Sequence, residues 1–259
     1  MTYLDKILDH HRRVAAGDDR DLDALIDAAI RLPECRGFRR RLAGDARDHL
    51  AVIAEIKRRS PSRGDLYVDL DPKSLASTYE SAGASCISVL TDEEFFGGSR
   101  TDLAAAREAV DVPILRKDFT VSLRDVCDAR LMGADCVLLI AAALSATELD
   151  QMHRLALDLG LDVLVEVHDD AELETALECG ARMIGVNQRD LKTFEVDRER
   201  AVRMARSMGD DVVRVAESGV VDARDARELR AAGYHAVLVG ETLVRSSSPA
   251  DTLRTLLVS

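Results

Sequence analysis

Residues 135–167 read DCVLLIAAALSATELDQMHRLALDLGLDVLVEV, and the order of patterns in this stretch decides the fold. An apolar, β-rich run (135–140) comes first. Apolar Leu149, Met152, Leu155, Ala156 and Leu159 then recur at helical spacing, and a second β run follows (162–167). Ser145 and Glu148 read as the capping box that starts the helix. The same alternation extends both ways. AVIAEI (51–56), SCISVL (85–90) and VPILR (112–116) precede it, and RMIGVN (182–187), VVRVAE (212–217) and AVLVG (236–240) follow it. Asp71-Pro72 and Ser248-Pro249 read as N-cap then first helical residue. Gly83, Gly133, Gly180 and Gly233 stand where helices should stop, and a Gly-Ala pair recurs at three of them, the mark of a loose repeat.

Eight strands alternating with helices make either a closed barrel or a long doubly wound sheet. The count and the length of 259 residues favour closure, and no GxGxxG follows the first strand. The expected architecture is therefore α/β, a (β/α)8 TIM barrel as one domain over 1–259, with residues 1–49 an N-terminal helical extension. Within it, Leu22, Leu25, Ile26, Ala29 and Ile30 form an amphipathic stripe. The stripe reads as a helix laid across one barrel end, either covering core residues or helping to capture substrate.

Apolar residues make up 47% of the chain, enough for a large core, while 35 basic against 47 acidic side chains give a net charge of −12. That balance argues against nucleic acid or an anionic membrane as the main partner and leaves a small-molecule substrate. No apolar run approaches the ~18 residues of a membrane helix, and MTYLDKILDHHRR at the N-terminus lacks the apolar core of a secretory signal. Five cysteines (Cys35, Cys86, Cys127, Cys136, Cys179) suit neither a disulfide framework nor a zinc site. The six histidines show no ligand spacing. A cytoplasmic chain, monomeric or weakly homo-oligomeric, is expected.

Side chains alternate along a strand, so parity tells which charges enter the lumen. Glu55 and Lys57 share parity with Ile53, Lys117 with Leu115, and Glu166 with Leu164. Asn187 and Arg189 go with Met183 and Gly185, and Glu217 with Val213 and Val215. All fall at or just past the last inward position of five strands, at the C-terminal mouth where barrels of this kind carry their sites. Arg58, Arg59 and Arg63 make the first loop locally cationic, which suits an anionic ligand. Ser218-Gly219 after the seventh strand and Gly240-Glu241-Thr242 after the eighth lie where such barrels bind phosphate through backbone N–H groups. Phe95-Phe96-Gly97-Gly98 reads either as a packed loop or as an apolar wall for an aromatic substrate. His168 has inward parity but reads as a surface or supporting residue.

The motifs AEIKRRSPS (54–62), SVLTDEEFFGGS (88–99), PILRKDF (113–119), LVEVH (164–168), GVNQRDL (185–191), VAESGV (215–220) and VLVGE (237–241) together resemble the indole-3-glycerol-phosphate synthase family. The resemblance implies a barrel enzyme of tryptophan biosynthesis. It would be a carboxy-lyase that converts 1-(o-carboxyphenylamino)-1-deoxyribulose 5-phosphate to indole-3-glycerol phosphate, CO2 and water, without metal or organic cofactor. Lys117 is implied as the general acid of ring closure. Lys57 would contact the substrate carboxylate, with a role in dehydration, while Glu166 would be a base with Glu55 as its partner. Asn187, Arg189, Glu217 and Ser218 would bind ribulose hydroxyls or position charged groups. Ser60, Gly219, Gly240 and Glu241 would take the phosphate and Phe96 the aromatic ring. Partial burial is expected to lower Lys117 from ~10.4 toward neutrality. Gln188 occupies a variable position in the family. The alternatives are another sugar-phosphate barrel enzyme, a Schiff-base aldolase using Lys117 or Lys57, or a non-catalytic phosphate-ligand-binding barrel.

Overall fold

The computed structural model describes residues 2–60, 63–190 and 195–259; Pro61, Ser62 and Leu191 of the quoted motifs lie outside them. Each β-rich run forms a strand within two residues of its expected bounds: β1 Ala51–Ile56, β2 Cys86–Leu90, β3 Ile114–Lys117, β4 Cys136–Ile140, β5 Asp162–Val167, β6 Met183–Asn187, β7 Val213–Glu217 and β8 Ala236–Val239. Neighbours pair in parallel in sequence order, and β1 closes the ring on both sides, with Ala51 opposite Ala236 and Ile53 opposite Cys86. Parallel pairing needs a crossover, and helices between the strands supply it. The helices are α4 Pro72–Ser81, α5 Arg100–Ala109, α6 Leu123–Leu131, α7 Ala146–Asp158, α8 Asp170–Glu178, α9 Arg198–Met204, α10 Ala223–Ala231, the single turn α11 Glu241–Val244, and α12 Pro249–Leu256. The capping box at Ser145–Glu148 forms as expected.

Strand parity sorts the core into two. Inward Ile53, Leu115, Leu138, Leu164, Val215 and Leu238 fill the lumen. Outward Val52, Ile87, Val137, Val165, Ile184 and Val237 pack against the helices. Each such side chain stabilises by about 1.5–3 kcal/mol when fully buried, against the chain entropy that ordering costs.

The extension (α1 Tyr3–Ala16, α2 Leu22–Ile30, α3 Phe38–Asp45) does three jobs rather than the one expected of it. The stripe on α2 does not cross a barrel end. Leu22, Leu25 and Ile26 pack on the outer core along α6, and Ile30 is 60% exposed. Helix α3 plugs the N-terminal end of the lumen instead, placing fully buried Phe38 and Leu42 in the inner cluster. The Arg39 N–H donates to Asp162 at 2.9 Å, and the Arg36 N–H donates to buried Asp135 at 2.8 Å. Helix α1 lies over the opposite end, with Leu4 and Ile7 in the same inner cluster. Among the described residues no helix is long and apolar enough to cross a membrane.

Phe38→Ala removes the plug without touching the mouth. The expected loss is about 3–5 kcal/mol of stability, read as a lower denaturant midpoint; an unchanged midpoint would show that α3 does not seal the lumen.

Candidate active site

The register of the strands brings the polar inward residues to one level. Glu166 stands beside Gly185, and Glu217 beside both Asn187 and Leu238. They line a cavity of about 470 Å³ at the C-terminal mouth, roofed by Tyr3, Leu4 and Ile7 of α1. At its floor Lys117 Nζ lies 2.8 Å from Glu166 Oε2 and 3.2 Å from Glu217 Oε2. Asn187 Nδ2 donates to Glu166 Oε1 at 3.0 Å, while its own Oδ1 accepts the Arg189 N–H at 3.0 Å, which orients the amide.

The charge states follow from burial and neighbours. Burial alone would lower the Lys117 ammonium, but Glu166, Glu217 and Glu55 outweigh it and hold Lys117 above its ordinary value. The expected lowering is thus reversed, because the lysine enters the interior among carboxylates rather than among apolar groups. Burial also works against ionisation of Glu166, yet Lys117 and His168 hold it well below the usual carboxylate range. For Glu217 burial wins. It pushes the carboxyl up to about 8, with Glu166 adding to the rise against the pull of Lys117. The two carboxyls beside Lys117 are thus pushed in opposite directions, Glu166 toward its ionised form and Glu217 toward its protonated one.

Glu55, implied by the resemblance as the partner of Glu166, forms an ion pair with Lys57, Nζ to Oε1 at 2.6 Å. Two glycines make room for these carboxylates. A Cβ on Gly240 would meet Glu55 Oε1 at 2.3 Å, and one on Gly185 would meet Glu217 Oε1 at 2.1 Å. Gly240, read from the sequence as a phosphate contact, thus also sets the space in which the Glu55–Lys57 pair sits.

The rim on the β7 and β8 side gathers Ser60, Gly219, Gly240 and Glu241 with Arg63, Arg189, Arg198 and Arg245. Ser218 and Gly219 both have left-handed backbone, φ 65° and 74°. That conformation is uncommon for a serine and needs support from its surroundings. Gln188 supplies it, donating from Nε2 to the Ser218 carbonyl at 2.7 Å, a task invisible in a position that reads as variable. Thr242 Oγ1 donates to the Val220 carbonyl at 2.7 Å and ties the two loops together. Glu241 receives Arg63 at 3.2 Å and Arg189 at 3.8 Å. Of the three first-loop arginines only Arg63 reaches the cavity. Arg58 is taken up by Asp102 and two backbone carbonyls, and Arg59 by the carbonyls of Glu93 and Glu94.

The opposite wall is apolar. Phe96 lies 6.2 Å from Phe119, centroid to centroid, with Leu90, Leu138 and Ile140 lining the same space. Asp92 builds this wall. Its Oδ1 accepts the Phe95 and Phe96 N–H groups at 2.6 and 2.9 Å, and its Oδ2 takes His11 of α1 at 2.7 Å. His11, Asp92 and Asp118 bring potential metal-ligating atoms within 4.8 Å of one another. Asp118 is also held by the Arg116 guanidinium at 2.8 Å and by the Phe119 N–H at 2.8 Å, which offset its charge.

Residues that parity arguments missed come mostly from outside the strands: Tyr3, Leu4 and Ile7 on the extension, Phe119, Arg198 and Arg245. His168, read as a surface or supporting residue, is nearly buried, its Nε2 3.3 Å from Glu166 Oε1.

The chain resembles known proteins along nearly its whole length. The sequence profile of one family, described as indole-3-glycerol phosphate synthase, matches residues 4–256. A protein of that name from Rhodopirellula baltica is 46% identical over 100% of both chains. Another, from Parafrankia sp., is 49% identical over 96% of this chain and 92% of its own. Among solved structures, thiamine phosphate pyrophosphorylase from Pyrococcus furiosus superposes with a TM-score of 0.61 at 16% identity, covering 81% of this chain and 95% of that one; this is a likeness of fold alone.

The raised Glu217 carboxyl carries a stability consequence. Between its ordinary value of 4.5 and about 8 the folded chain holds a proton that the unfolded chain has lost. Stability from this group therefore declines as pH rises through that window. Glu217→Gln removes the titration, so variant minus wild-type stability should climb from pH 5 to pH 8 in paired thermal melts; a flat difference contradicts the assignment.

Proposed function

The chain belongs to the indole-3-glycerol phosphate synthase family, and from that premise we propose how its mouth divides the family's carboxy-lyase reaction among its side chains. The observation that carries the reading is Lys117, whose Nζ lies 2.8 Å from Glu166 and 3.2 Å from Glu217. It sits between an arginine-and-glycine rim and an aromatic wall. That arrangement suits 1-(o-carboxyphenylamino)-1-deoxyribulose 5-phosphate, which has a phosphate at one end, an aromatic carboxylate at the other and a ketone between them.

In this reading the phosphate sits against Ser60, Gly219, Gly240 and the rim arginines, and Glu241 holds Arg63 and Arg189 in place. The aminobenzoate ring lies along Phe96, and its carboxylate meets Lys57. Ring closure forms a bond from the carboxylate-bearing ring carbon to the C2′ carbonyl carbon. Lys117 stabilises the oxygen as charge develops and gives up its proton only as that oxygen becomes an alkoxide, a base strong enough to take it. Loss of CO2 returns the bonding electrons to the ring. The C2′ hydroxyl then leaves as water while a proton leaves C1′. Glu166, held ionised, is the base, and Lys57, paired with Glu55, is the proton source for the departing hydroxyl. Asn187 fixes the Glu166 carboxylate, and Ser218 and Glu217 meet the ribulose hydroxyls.

The chain contains no Trp, so product indole fluorescence rises over a dark background. Lys117→Ala should lower kcat by roughly 10²–10⁴, the usual share of a general acid, with circular dichroism unchanged. A variant that keeps full turnover removes Lys117 from the chemistry, and a wild-type chain that binds this substrate without turnover points to a non-catalytic barrel.

A further inference from the structure

Two buried carboxylates share Lys117, yet their surroundings differ. Glu166 receives Lys117 on Oε2 at 2.8 Å and Asn187 on Oε1 at 3.0 Å, and His168 Nε2 lies 3.3 Å from that Oε1, at ion-pair distance but without hydrogen-bond geometry. Glu217 receives Lys117 on Oε2 at 3.2 Å, while its Oε1 is buried with no hydrogen-bond partner among the described residues. A bare, desolvated carboxylate oxygen is costly when charged and tolerable when the group is neutral.

His168 is itself held on its far side. Its Nδ1 lies 3.0 Å from Glu172 Oε2, which also accepts the His168 backbone N–H at 2.7 Å. Glu172 stands in the first turn of α8, where N-cap Asp169 accepts its N–H at 2.9 Å. Both ring nitrogens thus face carboxylate oxygens. With Nδ1 held by Glu172, a neutral ring would turn the Nε2 lone pair toward Glu166 Oε1, whereas the imidazolium places a positive charge there. The 3-10 turn Ala141–Ala143 packed on α8 adds no titratable group. The charges around the ring are therefore Glu166 on β5, Asp169 and Glu172 at the start of α8, and, beyond Glu166, Lys117 on β3 and Glu217 on β7.

We propose that His168 is a positioning residue for the reaction assigned above: wedged as an imidazolium between Glu172 and Glu166, it places the negative charge of the Glu166–Glu217 pair on Glu166 and leaves the proton on Glu217. Burial works against a charged His168, but Glu166 and Glu172 overcome it and raise the ring to about 10. The asymmetry matters because a base and a proton holder on the same lysine must not exchange roles between turnovers. The inference rests on the reading of Glu166 as the base, although the charge placement itself can be measured without turnover.

His168→Gln keeps an amide donor near Glu166 and removes the charge. In the full-length chain, the acid limb of kcat should move up by about one pH unit, so that turnover on that limb falls about tenfold and returns at higher pH. KM should change by less than about twofold, since remote binding is untouched. Glu172→Gln should shift the limb in the same direction by less. Alongside, 15N resonances of the wild-type imidazole, recorded without substrate, should show both nitrogens protonated through pH 8. A His168→Gln profile that superimposes on the wild type overturns the proposal, as does a uniform loss of kcat that higher pH does not restore. An imidazole that titrates near its unperturbed ~6.5 also overturns it, and this holds even where the variant fails to fold. If the wild-type chain shows no turnover, the reaction assignment fails, and the resonances alone decide the charge placement.

Discussion

An ammonium and three carboxylates inside a barrel are the constraint on which the rest of this structure depends. Lys117, Glu166, Glu217 and Glu55 all point into the lumen, and Lys117 and Glu166 survive there as ions only because each charge has a partner at hydrogen-bond distance. The mouth is consequently built around compensation. Asn187 and His168 complete Glu166, Lys57 completes Glu55, and Gly185 and Gly240 leave the volume these groups occupy. Glu217, whose buried Oε1 has no hydrogen-bond partner among the described residues, is the carboxyl that burial pushes up.

Such a site needs a dry, rigid support, and the scaffold supplies it from three directions. Below, the inward aliphatic layers and the α3 plug of Phe38 and Leu42 exclude water from the lumen. Above, α1 places Tyr3, Leu4 and Ile7 over the cavity and is fastened to the aromatic wall through His11 and Asp92. To the side, Gln188 and Thr242 hold the left-handed turn at Ser218 and the loop after β8 at a fixed spacing. The extension is therefore part of the site as well as a cover for the core, which its amphipathic stripe alone did not reveal.

The sequence was most legible where one geometric rule operates. Strand parity identified Glu55, Lys117, Glu166, Asn187 and Glu217 as lumenal, because side-chain alternation along a strand is obligatory and a closed barrel has one inside. It was least legible where a residue's role depends on what lies across from it. Arg58 and Arg59 read as ligand cations and are consumed by Asp102 and by backbone carbonyls. Parity pointed His168 inward, but composition could not show that Glu172, four residues on, would hold its other face.

By itself, then, the sequence determined the order of strands and helices, the closed parallel barrel, the end of it where the polar inward side chains gather and the family to which the chain belongs. These depend on local periodicity and on motifs contiguous in the chain. Only the tertiary structure decided that Lys117 is held above rather than below its ordinary value, that Glu55 pairs with Lys57, and that α3 rather than α2 closes the lumen. Those outcomes depend on distances between residues far apart in the chain, and on the balance between desolvation and pairing that such distances set.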